Sequence, residues 1–309
     1  MTAPLIFFHS GFDPYLAFTV WQARRTNPGA PVWLIGDDTN DLSALGVRHF
    51  HYARHAGRRD EFVRLYRNIS THGPGFERLC IERWFYLEAI LEQTGVNQFF
   101  YLDSDVLVLR ELQPFVAQWS GHEIAGAPPW SFAWYARSGI IREFCDFVLT
   151  CYSDEAKLAE WERRFRSGDD FSPPEHIHNV CDMALWRMFF RERNLEPVDL
   201  AAPHNGMAFD PGLTEPWGFR MRGQFKELTR RSGTCFGFHE ASAAPVELIV
   251  LHLNGKYPKR LPPLFTGWPW PVVRVCLRPP RLRNLRKLWL MASFSWRIRS
   301  SFFADHRQL

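Results

Sequence analysis

Asp103 and Asp105 stand one residue apart in the stretch Tyr101-Leu102-Asp103-Ser104-Asp105-Val106-Leu107-Val108-Leu109, where an apolar run breaks off and then resumes. Aspartate fits a strand poorly, so packing alone does not account for the pair. Two carboxylates at the end of a strand offer hard oxygen ligands, which suit Mg²⁺ or Mn²⁺. A metal held in this way can bridge two phosphates of a nucleotide and act as a Lewis acid on a leaving diphosphate. Neither carboxylate needs an unusual pKa for that task. The competing reading, a turn aspartate followed by a solvated one, sits badly with the apolar residues on both sides.

The elements that must position this pair follow from the flanking pattern. Leu5-Ile6-Phe7-Phe8 reads as a short buried strand and His9-Ser10-Gly11 as a loop. Asp13-Pro14 reads as an N-cap with proline at the first helical position, opening a helix that runs to about Arg25. Pro31 to Ile35 is a second buried strand ending at Gly36-Asp37-Asp38, and Gly46 to Phe50 is a third, short one. A helix is expected over Glu77–Gln93 with Gly95 as its stop. Phe99-Phe100-Tyr101-Leu102 is then the strand that delivers the carboxylates. This alternation argues for an α/β fold with a mostly parallel sheet, and in such sheets ligands bind beyond the carboxyl ends of strands. Further on, a strand is expected over 124–127, helices over 142–152, 154–166 and 182–193, and a last strong strand over Val246–Leu251. Residues 203–245 show no clear periodicity. Residues 261–280 are proline-rich and read as extended, and 281–303 as a basic helix. The division drawn from this is a main domain over 1–260 and a linker with a basic tail over 261–309.

The chain has 309 residues, 46% hydrophobic and 23% charged, which is the balance of a globular protein. The net charge of +4 is unevenly spread, because residues 271–309 hold nine Lys/Arg against one acid. The remainder is net acidic, so nucleic acid is not an expected partner. The six cysteines form no CxxC pair and no zinc-ligand spacing, which favours a reducing, cytoplasmic compartment. No basic n-region precedes the first apolar run, and no run of about 18 apolar residues is present.

The segment Arg83-Trp84-Phe85-Tyr86-Leu87, together with Phe100-Tyr101-Leu102-Asp103-Ser104-Asp105-Val106-Leu107-Val108, resembles nucleotide-sugar glycosyltransferases of the GT-A fold. More narrowly, it is similar to the retaining glycogenin-like and lipopolysaccharide galactosyl/glucosyltransferase group, with its hhYLDxDhhV strand. That group also carries His-x-x-Gly-x-x-Lys-Pro, and here His252-Leu253-Asn254-Gly255-Lys256-Tyr257-Pro258-Lys259 follows the last strong strand. The resemblance implies that His252 joins Asp103 and Asp105 as the third ligand of Mn²⁺ or Mg²⁺. It implies a lysine on the donor diphosphate, with the spacing leaving Lys256 and Lys259 as alternatives. Arg137-Ser138-Gly139 stands where the group has Asn-x-Gly near the donor sugar. Asn179-Val180-Cys181-Asp182 resembles the segment that places an acidic or amide side chain near the reacting carbon, with capping of the next helix as the other use of Asp182. His9, Ser10 and Asp37 fall where the group binds the nucleoside. Arg83, Ser104 and Gly255 complete the implied donor-binding set, and a surface salt bridge is the other use of Arg83.

The implied reaction is metal-dependent transfer of a hexose from a nucleotide diphosphate sugar, a UDP-hexose, to an acceptor hydroxyl on a glycan or glycolipid, with retention, as in lipopolysaccharide or polysaccharide biosynthesis. Trp130 and Trp134 are candidate stacking platforms for the acceptor. On a helical projection of the tail, Leu282, Leu285, Trp289, Ala292, Trp296 and Phe303 share one stripe beside Arg283, Arg286, Lys287 and Arg297. That arrangement suits peripheral binding to an anionic membrane through residues 281–303, and a helix packed on its own domain is the alternative. A haloacid-dehalogenase-like phosphatase also uses Asp-x-Asp, but it follows the pair with Gly-Thr where Val106-Leu107 stands here. A non-catalytic, membrane-associated carbohydrate-binding protein is a third reading.

Overall fold

The computed structural model describes residues 2–127, 132–171, 177–278 and 284–302. Strand β1 (Leu5–Phe8) leads through α1 (Pro14–Thr26) to β2 (Val32–Gly36) and β3 (Arg48–His51). Helices α2 (Arg59–Leu65) and α3 (Pro74–Thr94) precede β4 (Gln98–Asp103), and a short turn passes to β5 (Val106–Val108). Then come α4 (Gln113–Trp119), β6 (Ile124–Gly126), β7 (Ala133–Arg137), α5 (Ser138–Ser153), α6 (Glu155–Ser167) and α7 (Asp182–Glu192). Short strands follow: β8 (Val198–Asp199), β9 (Met207–Asp210), β10 (Met221–Arg222), β11 (Phe225–Lys226), β12 (Leu228–Arg231), β13 (Thr234–His239) and the longer β14 (Ala244–His252). Helices α8 (Pro262–Thr266), α9 (Trp270–Cys276) and α10 (Leu285–Phe302) close the chain.

The main sheet has the order β3-β2-β1-β4-β7-β6-β8. Its first four strands are mutually parallel, and β7 runs antiparallel to both β4 and β6. The expected α/β class, with a mostly parallel sheet flanked by helices, therefore holds. The uninterrupted apolar runs of β1 and β4 reflect burial on both faces. Phe99 and Tyr101 pack into one layer with α3, α5 and α7, while Phe100 and Leu102 pack into the other with α1. A second sheet, β12-β13-β14-β5, takes β9 as a further partner of β14.

Some expectations are corrected. Strand β7 was not anticipated: five residues that follow a proline pair carry little signal, and antiparallel pairing with β4 supplies what propensity does not. The aperiodic region 203–245 holds β9 to β13, which at two to six residues are too short to display a period. The stretch read as an extended linker instead contains α8 and α9, each with proline in its first turn, where a missing N–H costs nothing. Phe265, Val272, Val275 and Cys276 from these helices are buried. Asp13 makes no side-chain cap on α1, and its carboxylate instead accepts from Lys287 of α10. Of the tail, residues 281–283 and 303 lie outside the described residues.

The end of β2 depends on a glycine. A Cβ on Gly36 would lie 2.0 Å from Asn40 Oδ1 and 2.8 Å from His49 Nε2. Asn40 is fully buried and fastens the loop after β1, donating to the carbonyls of His9 (2.7 Å) and Gly11 (2.8 Å). Gly36→Ala is therefore expected to lower stability by about 1–3 kcal/mol through overpacking, read as a lower urea midpoint at unchanged slope.

Candidate metal and nucleotide site

Strands β1 and β4 are parallel neighbours with Phe8 opposite Asp103. From β1 the chain moves out through β2 to β3 and returns to β4 on the other side of β1, so strand order reverses between β1 and β4. The crevice beyond such a reversal is where open α/β sheets bind ligands. Asp103 is the last residue of β4 and faces a cleft of about 480 Å³.

Ser104 is pinned from one side by α1 and the loop before it. Its carbonyl accepts from Thr19 Oγ1 at 2.8 Å, and its hydroxyl lies 2.9 Å from His9 Nδ1 and 3.3 Å from the Tyr15 hydroxyl. The chain then enters the second sheet. Val106 pairs with His252, and Leu253 N donates to the Asp105 carbonyl at 2.9 Å. This register brings His252 Nε2 to 3.5 Å from Asp105 Oδ1. Ligand atoms of Asp103, Asp105 and His252 all lie within 4.8 Å of one another. His252 Nδ1 is 2.9 Å from the Pro211 carbonyl, which makes it the N–H and leaves Nε2 to face the carboxylates. The imidazole also lies flat on Phe132, with ring centroids 4.6 Å apart.

Cations balance the acids. Arg83 donates to Asp103 at 2.8 Å and to Asp182, and Lys259 Nζ is 3.0 Å from Asp105 Oδ2. Burial pushes the Asp103 carboxyl up to about 6, with Arg83 opposing the rise and Asp105 adding to it. For Asp105 burial acts in the same direction, but His252 and Lys259 outweigh it and hold the carboxyl well below the usual range. Burial also disfavours charge on His252, yet the hydrogen bond and charge of Asp105 raise it to about 9. A proton on His252 thus supplies positive charge beside the two carboxylates. His9, by contrast, is lowered to about 4 by burial and stays neutral.

The other expected site residues divide. His9, Ser10, Arg83, Ser104, Asp182 and Lys259 all line the cleft. Asp182 is the first residue of α7, behind the capping position held by Cys181, and its carboxylate takes Arg83 and the Trp84 indole N–H (3.3 Å). Arg83 is accordingly a buried clamp between two carboxylates, not a surface ion pair. Of the two lysines, Lys259 reaches Asp105. Lys256 lines an adjoining pocket with Asp13 and Lys287. Gly255, at φ +86, makes the reversal that turns the chain back toward the site.

Three expected residues have surroundings that the sequence does not reveal. All four acceptor positions of Asp37 are taken within the chain, by the Gly11 N–H and Ser10 hydroxyl on one oxygen and by the Thr39 N–H and hydroxyl on the other. Asp37 therefore helps to order the loop after β1, with its carboxylate already engaged within the chain. Gly139 follows β7, whose Arg137 pairs with Gln98 at the start of β4. Antiparallel pairing sets it at the far end of that strand from Asp103, roughly 16 Å away at strand spacing. Trp134 is a core residue at 2% exposure, 4.7 Å from the Trp186 ring, and cannot stack a sugar. Trp130 lies outside the described residues.

Sequence reasoning missed Tyr15 and Thr19, whose spacing on α1 places both hydroxyls on one face toward Ser104. It also missed a wholly buried ion pair between Lys226 and Asp210. Lys226 also donates to the Gly212 carbonyl at 2.6 Å, and Leu213 N donates to the His252 carbonyl at 3.1 Å. The pair thus brackets Pro211, the residue that fixes the His252 ring.

No family model matches the chain, and no curated protein matches it. Among solved structures the chain is similar to mouse xyloside xylosyltransferase 1 in its apo form, at 11% identity over 65% of this chain and 86% of that one, with a TM-score of 0.44. It is also similar to an active-site mutant of LgtC, at 12% identity over 91% and 99% of the two chains, with a TM-score of 0.45. Galactosyltransferase LgtC in complex with donor and acceptor sugar analogs is similar at 12% identity over 98% of each chain, with a TM-score of 0.43.

Removing one partner of a buried pair leaves an uncompensated charge, which costs about 3–5 kcal/mol. Lys226→Met is expected to lose that much stability, while Lys226→Met with Asp210→Leu loses clearly less. Urea unfolding of the two variants distinguishes this from a pair that merely fills space.

Proposed function

We propose that this chain is a GT-A-type, metal-dependent glycosyltransferase that moves a hexose from a UDP-hexose to an acceptor hydroxyl on a glycan or glycolipid, with retention. The observation that carries the reading is the convergence of Asp103, Asp105 and His252 at the carboxyl end of β4, with Lys259 beside them. Two carboxylate oxygens and one imidazole nitrogen suit Mn²⁺ or Mg²⁺. The commitment of His252 Nδ1 to a backbone carbonyl is the kind of outer contact that orients a ligating histidine. Such an ion, when bound, supplies positive charge to the leaving diphosphate.

The rest falls to the chain's own residues. Lys259, already a partner of Asp105, neutralises a phosphate oxygen of the donor. His9 and Ser10 face the donor from the loop after β1, and Gly255 gives the loop that carries Lys259 its reversal. In transfer, the bond from the sugar's anomeric carbon to the diphosphate oxygen breaks and a bond from the acceptor oxygen forms. The acceptor's proton leaves with the departing phosphate. Positive charge develops on the sugar meanwhile, and Asp182, a buried carboxylate held by Arg83, is the fixed anion we assign to stabilise it.

Calorimetry with Mn²⁺ and UDP tests the reading. UDP binding should require the metal and should vanish when Asp103 and Asp105 are both alanine. Lys259→Ala should raise the Kd for UDP about 10-fold or more, as expected for one charged hydrogen bond, while Lys256→Ala changes it less than about 2-fold. Metal-independent UDP binding, or undiminished binding in the double variant, would sink the proposal.

The membrane role belongs to the same reading. Helix α10 packs through Leu288, Met291 and Ser295, so Leu285, Trp289 and Trp296 point outward, with Trp289 64% and Trp296 81% exposed. Trp268 and Trp270 add exposed aromatic surface before it. No helix among the described residues is long and apolar enough to cross a membrane. Aromatic side chains beside Arg286 and Lys287 suit the interface of an anionic bilayer. Trp289→Ala with Trp296→Ala should reduce co-sedimentation with phosphatidylglycerol vesicles about 10-fold, with little binding of either form to phosphatidylcholine vesicles.

A further inference from the structure

We propose that the part of the cleft wall formed by His72, Phe76 and Asn179 is a hexose-ring subsite that holds the acceptor sugar; the acceptor role rests on the glycosyltransferase reading above. One face of α3 lines the cleft, through Phe76, Leu79, Cys80 and Arg83. Arg83 anchors the end where Asp103 and Asp182 lie. Phe76 stands seven residues earlier, two helical turns or roughly 10 Å away on the same face. That span leaves room for one sugar ring between them, which would be the one transferred.

The chemistry of this wall is that of a surface built to recognise a sugar. Phe76 is 63% exposed, although burying such a ring is strongly favoured. Most of its surface is open to the apolar C–H side of a pyranose. The His72 ring meets it edge-on, with centroids 5.7 Å apart. His72 Nδ1 is bonded to the carboxylate of Glu77, which is itself buried at 2% exposure. This fixes the ring and leaves Nε2 as the nitrogen open to a ligand. Asn179 Oδ1 accepts from the Thr71 N–H at 3.0 Å and the Thr71 hydroxyl at 3.4 Å, which turns its Nδ2 into the available donor. An aromatic ring, a fixed imidazole nitrogen and a fixed amide donor match a sugar ring whose hydroxyls both give and take hydrogen bonds. The polar groups are held by their own partners before any ligand arrives, so little ordering is left to binding.

The test uses the full chain with maltose, cellobiose and lactose as probes, observed by saturation-transfer NMR. At least one should give a signal that UMP does not displace. Phe76→Ala and Phe76→Leu should reduce that signal at least fivefold, Phe76→Tyr should keep it, and Asn179→Ala should weaken it. The Kd for UDP with Mn²⁺ should stay within twofold in all four variants, and their melting temperatures should match the parent's. No signal from any of the three sugars, displacement by UMP, or an unchanged signal in Phe76→Ala overturns the proposal. Failure of UDP to bind would instead remove the glycosyltransferase reading and the acceptor role with it, while the sugar signal still reports on the subsite.

Discussion

Two like charges held one residue apart, one buried and one largely so, set the terms for everything around them. At an effective dielectric near 20, carboxylates about 5 Å apart repel by ~3 kcal/mol, and each has also lost most of its water. The structure answers with a balanced cluster. Asp103, Asp105 and Asp182 face Arg83, Lys259 and a protonated His252. Charge in the cluster sums to about zero, so a diphosphate entering it brings an excess of negative charge that these side chains have already spent themselves balancing. A divalent cation at the proposed site would offset that excess, and the proton of His252 would have to leave for its lone pair to ligate. That charge balance is the physical ground for the proposed metal site.

The constraint also explains why two sheets are needed. Asp103 closes β4 in the main sheet, whereas Asp105 directly precedes β5 in the second, and only the pinned Ser104 lies between. His252 reaches Asp105 because Val106 pairs with it in the β5–β14 register. A slip of one residue would turn the imidazole to the opposite face. Pro211 and the Asp210–Lys226 pair hold the ring from behind. Burying that pair is costly, and its position behind a candidate ligand gives it a use beyond stability.

What the sequence disclosed and what it hid follow from the range of each interaction. The parallel strands were legible because burial on both faces writes itself as an unbroken apolar run, as in Leu5-Ile6-Phe7-Phe8. The carboxylate pair was legible because aspartate interrupts such a run. Strand β7 and strands β9 to β13 were not, since their stability comes from partners far along the chain and not from their own few residues. The same limit hid the surroundings of three residues. Asp37 looked open to a nucleobase because its four donors come from two separate loops. Gly139 looked close to the site because chain distance does not reveal that β7 runs antiparallel to β4. Trp134 looked like a platform because composition does not tell a core indole from an exposed one.

The tail shows a subtler limit, and it links the surface to the site. A helical projection finds which residues share a face, but not which face the protein packs. Leu285, Trp289 and Trp296 do share a stripe, yet the buried side is Leu288, Met291 and Ser295, with the Ser295 hydroxyl bonded to the Arg260 carbonyl at 3.0 Å. The more apolar stripe is left outward because the inner one is already matched to the domain. Lys287 then ties α10 to Asp13, directly before α1. Tyr15 and Thr19 of α1 in turn fix Ser104 between the two carboxylates. A surface that engaged the outward stripe, as proposed, would meet a helix tied through Lys287 to the segment that leads into α1. The contacts thus run continuously from α10 through the start of α1 to Ser104.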